Sequence, residues 1–139
     1  MREYVLDANA AIRYFMPKSN DPGVKKMDRV IEDARNGRSQ IWMSVVNLGE
    51  VFYVLLRRLA DDEALKYVDI LQQAAIIHAP DIDHTISAAR LKHHYKIGYA
   101  DSFAAALAIE KCATLLSADP VFEKLDRKLK WMKLPRFRE

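Results

Sequence analysis

Four carboxylates stand at positions where acids could do joint work: Asp7, Glu50, Asp101 and Asp119. Acids that converge on one site repel, and each raises the others' pKa unless a cation compensates. Hard oxygen donors with open positions suit Mg²⁺ or Mn²⁺. An ion held in this way can activate water and stabilise the charge on a phosphodiester undergoing in-line displacement. That chemistry needs several acids and no nucleophilic side chain.

Taken singly, each acid also has a plain structural role. Asp7 follows an apolar run and could end a strand or start a helix. Glu50 could be a solvated helix residue, although Asn47, Val46, Tyr53 and Val54 give it no cationic helix partner. Asp101 could be an N-cap. Asp119-Pro120 reads as a helix or turn start.

The elements that must position these acids follow from the apolar pattern. Five short segments read as strands: Glu3–Leu6, Gln40–Met43, Ala75–His78, Thr114–Leu116 and Leu129–Met132. Helical stretches lie between them: Val24–Arg35, stopped by Asn36-Gly37, then Val46–Leu59, Asp61–Gln73, a segment from Asp81 or Asp83 to His94, and Tyr99–Cys112. Strand alternating with helix predicts an α/β fold whose central, mostly parallel five-stranded sheet is flanked by helices in three layers. Ligands in such sheets bind outside the carboxyl ends of the strands. Asp7 and Asp119 follow two of those strands. Glu50 falls in the first turns of a helix leaving a third, and Asp101 opens the helix before the fourth.

The remaining composition excludes several classes. The 139 residues suit one domain, 1–139, with no linker or internal repeat. The longest apolar run, Phe103–Ile109, is too short to span a bilayer, and Asp7 interrupts the first apolar stretch, so no membrane anchor or signal peptide is expected. The single cysteine, Cys112, excludes an internal disulfide and is expected to be a small buried side chain in a cytoplasmic protein. The four histidines show no zinc-ligand spacing with cysteine, and the glycines form no phosphate loop. His93-His94 lies in a basic cluster with Arg90, Lys92 and Lys96 that a solvated helix end also explains. Residues 123–139 carry seven basic and three acidic side chains within a net charge of +3. Lys128, Lys130, Lys133, Arg136 and Arg138 are therefore candidates to meet the phosphates of a polyanion such as nucleic acid, with a solvated surface as the alternative.

Four motifs together are more specific than their parts: Val5-Leu6-Asp7-Ala8-Asn9, Ser44-Val45-Val46-Asn47-Leu48-Gly49-Glu50-Val51, Tyr99-Ala100-Asp101-Ser102-Phe103-Ala104-Ala105-Ala106, and Leu116-Ser117-Ala118-Asp119-Pro120-Val121-Phe122. In order and spacing the chain resembles the PIN-domain ribonucleases, and most of all the VapC-like toxins of VapBC-type toxin–antitoxin pairs, from residue 3 to about residue 133. The resemblance implies a PIN-like nuclease domain that cleaves RNA with Mg²⁺, or Mn²⁺ in its place. It implies catalytic and metal-binding roles for Asp7, Glu50, Asp101 and Asp119, and supporting roles for Asn9 and Ser117. It also implies a small antitoxin partner and a homodimer. Ala8 stands where relatives often carry Thr or Ser, and Val121 where they often carry a further acid.

Two other functions compete. A non-catalytic RNA-binding or scaffold domain of the same fold would not need all four acids. A phosphoacceptor domain would need an acid at the end of its middle strand, and the third strand here ends His78-Ala79-Pro80.

Overall fold

The structure is a computed structural model that describes residues 1–15 and 22–135. Five strands form one sheet: β1 (Arg2–Leu6), β2 (Ser39–Ser44), β3 (Ile76–His78), β4 (Thr114–Ser117) and β5 (Lys130–Lys133). Their order is β3-β2-β1-β4-β5 and every neighbouring pair is parallel. The α-helices are α1 (Ala8–Phe15), α2 (Pro22–Arg35), α3 (Val45–Leu55), α4 (Asp61–Ala74), α5 (Ile82–Tyr95) and α6 (Tyr99–Glu110), and a 3-10 helix follows over Pro120–Lys128.

Alternation along the strands builds the two faces. Tyr4 and Leu6 of β1, Ile41 and Met43 of β2, and Leu116 of β4 enter one core with Leu48, Val51 and Leu55 of α3 and Leu71 of α4. The intervening Val5, Trp42 and Leu115 point to the other core, with Ala104, Ala105, Leu107, Phe122 and Leu125. Each buried leucine of this kind contributes roughly 1.5–3 kcal/mol. Helix α6 is buried continuously from Ser102 to Ala108. Its run of alanines lets it lie close to the sheet, and a helix apolar all round must be interior.

Local chemistry sets the element ends. Ser44 caps α3 by accepting the Val46 N–H at 3.2 Å, and Asp81 caps α5 by accepting the His84 N–H at 2.8 Å. Gly37, at φ 72°, closes α2 in the left-handed conformation that glycine adopts freely.

Four expectations are corrected. Helix α1 was not anticipated, since only eight residues follow Asp7 before its end. Helix α3 stops at Leu55 rather than Leu59. β3 is an edge strand, and the central strand is β1, which Asp7 directly follows, so His78 gives no argument against a phosphoacceptor. Cys112 is exposed, because it stands beyond the end of α6 at φ 50° rather than within the alanine-rich helix. Among the described residues, no helix is long and apolar enough to cross a membrane.

Candidate active site

Because all strands run the same way, their carboxyl ends share one edge. β1 pairs with β4 in the register Leu6↔Leu116, so the residues that follow, Asp7 and Ser117, leave the sheet side by side. Asp7 is buried, and its Oδ1 accepts the Ala10 N–H at 2.8 Å, which caps α1. The Ser117 hydroxyl donates to the same carboxylate. Ser117 Oγ in turn accepts the Asp119 N–H at 3.0 Å. Its carbonyl takes the Leu134 N–H at 2.9 Å and the Trp131 indole N–H at 3.0 Å, which ties β5 and the segment after it to the site. Asp119 is held by accepting the Val121 N–H at 3.0 Å, at the start of the 3-10 helix.

Asp101 reaches this edge from α6. It is not the N-cap. Gly98 holds that position, and Asp101 is the third helical residue, whose carboxylate accepts the Gly98 N–H. This is the reciprocal half of a capping box. A Cβ at Gly98 would lie 2.9 Å from Asp101 Oδ2, so the glycine leaves the space that the carboxylate fills. Asn47 is buried one turn before Glu50, and its Nδ2 donates to the Ala100 carbonyl at 3.1 Å, pinning the start of α6 to α3. Glu50 is exposed on α3 and acts on Asp101 electrostatically.

The electrostatics tie the four acids together. Burial pushes the Asp7 carboxyl up to about 7. The Ser117 and Ala10 hydrogen bonds oppose that rise, while the charges of Asp101 and Asp119 add to it. Asp101 is pushed up to about 6, first by burial and then by Asp119 and Glu50. Acids so disposed favour either a proton or a cation. The donors are hard oxygens, which fit Mg²⁺ or Mn²⁺.

The other predicted residues are distributed unevenly. Asn9 is exposed on α1, and the hydrogen bonds that shift Asp7 come from Ser117 and Ala10. Lys133 pairs in register with Ser117, at the edge of the acids, whereas Lys130 pairs with Thr114 at the start of β4. Lys130 lines a surface hollow with Arg2 and Thr114, at the opposite edge of the sheet. Lys128 lies 5.8 Å from the centre of the Tyr95 ring. Arg136 and Arg138 lie outside the described residues. Asn47 and Gly98 were not singled out from the sequence. The spacing Gly98-x-x-Asp101, an acid three residues after a glycine able to stand at an N-cap, was the available signal for the second.

Comparisons with known proteins bear on the family and the fold. The family model described as PIN domain matches residues 4–128. No curated protein matches the chain. VapBC from Salmonella typhimurium, solved bound to DNA, matches at 16% identity over 96% of this chain and 99% of that one, with a TM-score of 0.76. VapBC2 from Rickettsia felis, bound to a DNA fragment from its promoter, matches at 19% identity over 94% and 98%, with a TM-score of 0.74. VapBC-5 from Mycobacterium tuberculosis, of the VapBC family of toxin–antitoxin systems, matches at 18% identity over 98% and 100%, with a TM-score of 0.63. At these identities the likeness establishes the fold alone.

Proposed function

The chain belongs to the PIN domain family, and on that premise we propose that it is a metal-dependent endoribonuclease, the toxin partner of a small antitoxin, acting in the cytoplasm. The observation that carries the reading is the coupling of Asp7 and Asp101 to Asp119 and Glu50 at one sheet edge, with two of these acids raised to about 7 and about 6. Asp7, Glu50, Asp101 and Asp119 would hold Mg²⁺, with Mn²⁺ able to substitute. Such an ion, when bound, supplies Lewis acidity that activates water and offsets charge developing on a phosphodiester.

The chain's own residues prepare that site. Ser117 holds Asp7 in place and favours its charged form by donating a hydrogen bond to it. The Gly98 N–H does the same for Asp101, and the Val121 N–H fixes Asp119. Glu50, exposed on α3 and close enough to raise Asp101 electrostatically, would complete the set of acids. Lys133 stands close enough to this edge to meet a phosphate of the same strand.

The partner reading rests on apolar surface. Val45, Tyr53 and Leu56 are exposed along α3 and just beyond its end, beside the helix that carries Glu50. An antitoxin segment, or a second copy of the chain in a homodimer, would cover it.

The test is incubation of labelled RNA with the protein and Mn²⁺, with and without a chelator. Cleavage that requires Mn²⁺ and disappears in Asp7→Asn supports the reading. Cleavage that persists in chelator overturns it, and binding without cleavage returns the chain to the non-catalytic alternative.

A further inference from the structure

A second constellation lies away from the acids. His78 ends β3, His84 sits in the first turn of α5, and Glu110 ends α6. One ligand atom from each lies within 4.8 Å of the other two. His78 Nε2 is 3.5 Å from Glu110 Oε2, and His84 Nδ1 is 3.4 Å from Glu110 Oε1. The two imidazole rings stand 4.6 Å apart between centroids.

We propose that His78, His84 and Glu110 form a binding site for a divalent transition-metal ion of the zinc class, which fastens β3, α5 and α6 to one another. The distances favour this over a simple ion pair. Charge-assisted N–H···O bonds run at ~2.7–2.9 Å, and both contacts here are far longer. Two ligands on a tetrahedral zinc, each at ~2.0–2.1 Å, stand about 3.3 Å apart; each histidine–carboxylate spacing is near that value, each to its own Glu110 oxygen, and with one atom from each residue the trio lies within 4.8 Å, so a small side-chain rotation closes it around the ion. Donor chemistry also chooses the ion. Two imidazoles and one carboxylate suit zinc, whereas Mg²⁺ prefers oxygen alone.

Access agrees. The His84 side chain is only 2% exposed, and its position is set by packing between β3 and α6 rather than by solvent. Glu110 is 47% exposed, which leaves an open side for a fourth ligand, water or a partner's side chain. Asp101 and Glu110 lie near opposite ends of the 12-residue α6, roughly 14 Å apart along its axis. The two sites are therefore separate, and the helix that carries one anchors the other.

Titration of the full chain with Co²⁺, followed by displacement with Zn²⁺, tests the proposal without any activity measurement. The Asp7→Asn, Asp101→Asn double variant serves as the background, so that ions at the acidic edge do not contribute. One equivalent of Co²⁺ is expected to give the visible absorption of a tetrahedral site, and Zn²⁺ should abolish it. Glu110→Gln, at a half-exposed position that keeps the fold, should weaken binding by more than the ~10–100-fold that outer-shell changes typically cost. Zn²⁺ should raise the melting temperature of the background and not of its Glu110→Gln derivative. Absence of the absorption in the background, or its survival unchanged in Glu110→Gln, overturns the proposal.

Discussion

A Cβ placed on Gly98 would stand 2.9 Å from Oδ2 of Asp101, so the acid occupies the space that the missing side chain leaves. The backbone at Gly98, φ −63° and ψ 154°, is one that alanine adopts readily. Gly98→Ala therefore keeps the helix and moves the carboxylate. Stability should change by about 1 kcal/mol at most, the usual scale of a cap substitution. Cleavage should fall by ~10²-fold, the scale of a 1 Å misplacement. In an Asp101→Ala background the same change should cost almost no stability, because no carboxylate is there to displace. A thermal-melt cycle checks the stability arm. Wild-type cleavage by Gly98→Ala would show that the fit between these residues does not matter.

Ser117→Ala removes the hydroxyl that favours charged Asp7. The Asp7 pKa should then rise further above about 7, and the midpoint of the pH–rate profile should move to higher pH. The Asp119 N–H also loses its acceptor, which costs roughly 1–3 kcal/mol. A profile whose midpoint stays in place would separate Ser117 from the titration of Asp7.

Stability without added metal should depend on pH in an unusual direction. Asp7 is raised from 3.8 to about 7, so the folded chain holds a proton that the unfolded chain has released. That contribution is complete below pH ~4 and is lost as pH rises to ~7. Asp101, raised to about 6, acts in the same sense. His78, held low by burial, acts oppositely below its ordinary value of 6.5. The comparison with Asp7→Asn isolates the aspartate. In chelator, wild type should lose on the order of a few kcal/mol relative to the variant between pH 5 and pH 8. Parallel stability curves for the two proteins would contradict a raised Asp7.

Lys133 and Lys130 should differ. Lys133 pairs with Ser117, and Lys130 with Thr114 three residues back along β4, roughly 10 Å away. Lys133 is 3.2 Å from Glu123 in an exposed ion pair, a contact weak enough to yield to a phosphate. Lys133→Gln should lower the salt slope of RNA binding by ~0.7, the value for one phosphate of a single strand. Lys130→Gln should leave it unchanged. Equal effects would place the RNA elsewhere.

The strands were legible because they are short apolar runs, the first four rich in Ile, Val or Leu, and the observed limits differ from the expected ones by about a residue. The meeting of Asp7 with Asp119 depended only on β1 and β4 being neighbours, and they are. The place of Asp101 was not legible. It depends on the turn through Ile97-Gly98 and on Asn47 tethering Ala100, neither of which has a periodic signature. The trio of His78, His84 and Glu110 was equally hidden, since it spans three elements and exists only through the packing of α5 on α6. Cys112 was misread for a related reason: its alanine-rich neighbourhood belongs to a helix that has already ended.

The central claim is that the charge of these acids performs the chemistry, and Asp101→Asn tests it most directly. Asparagine keeps an oxygen for the Gly98 N–H and removes the charge a divalent ion requires. The measurement is the single-turnover rate of RNA cleavage at limiting Mn²⁺, beside a melting curve in chelator. The melting temperature should equal or slightly exceed that of wild type, because one repelling acid has gone, and the rate should fall by orders of magnitude. A rate near that of wild type from a folded Asp101→Asn protein would contradict that claim.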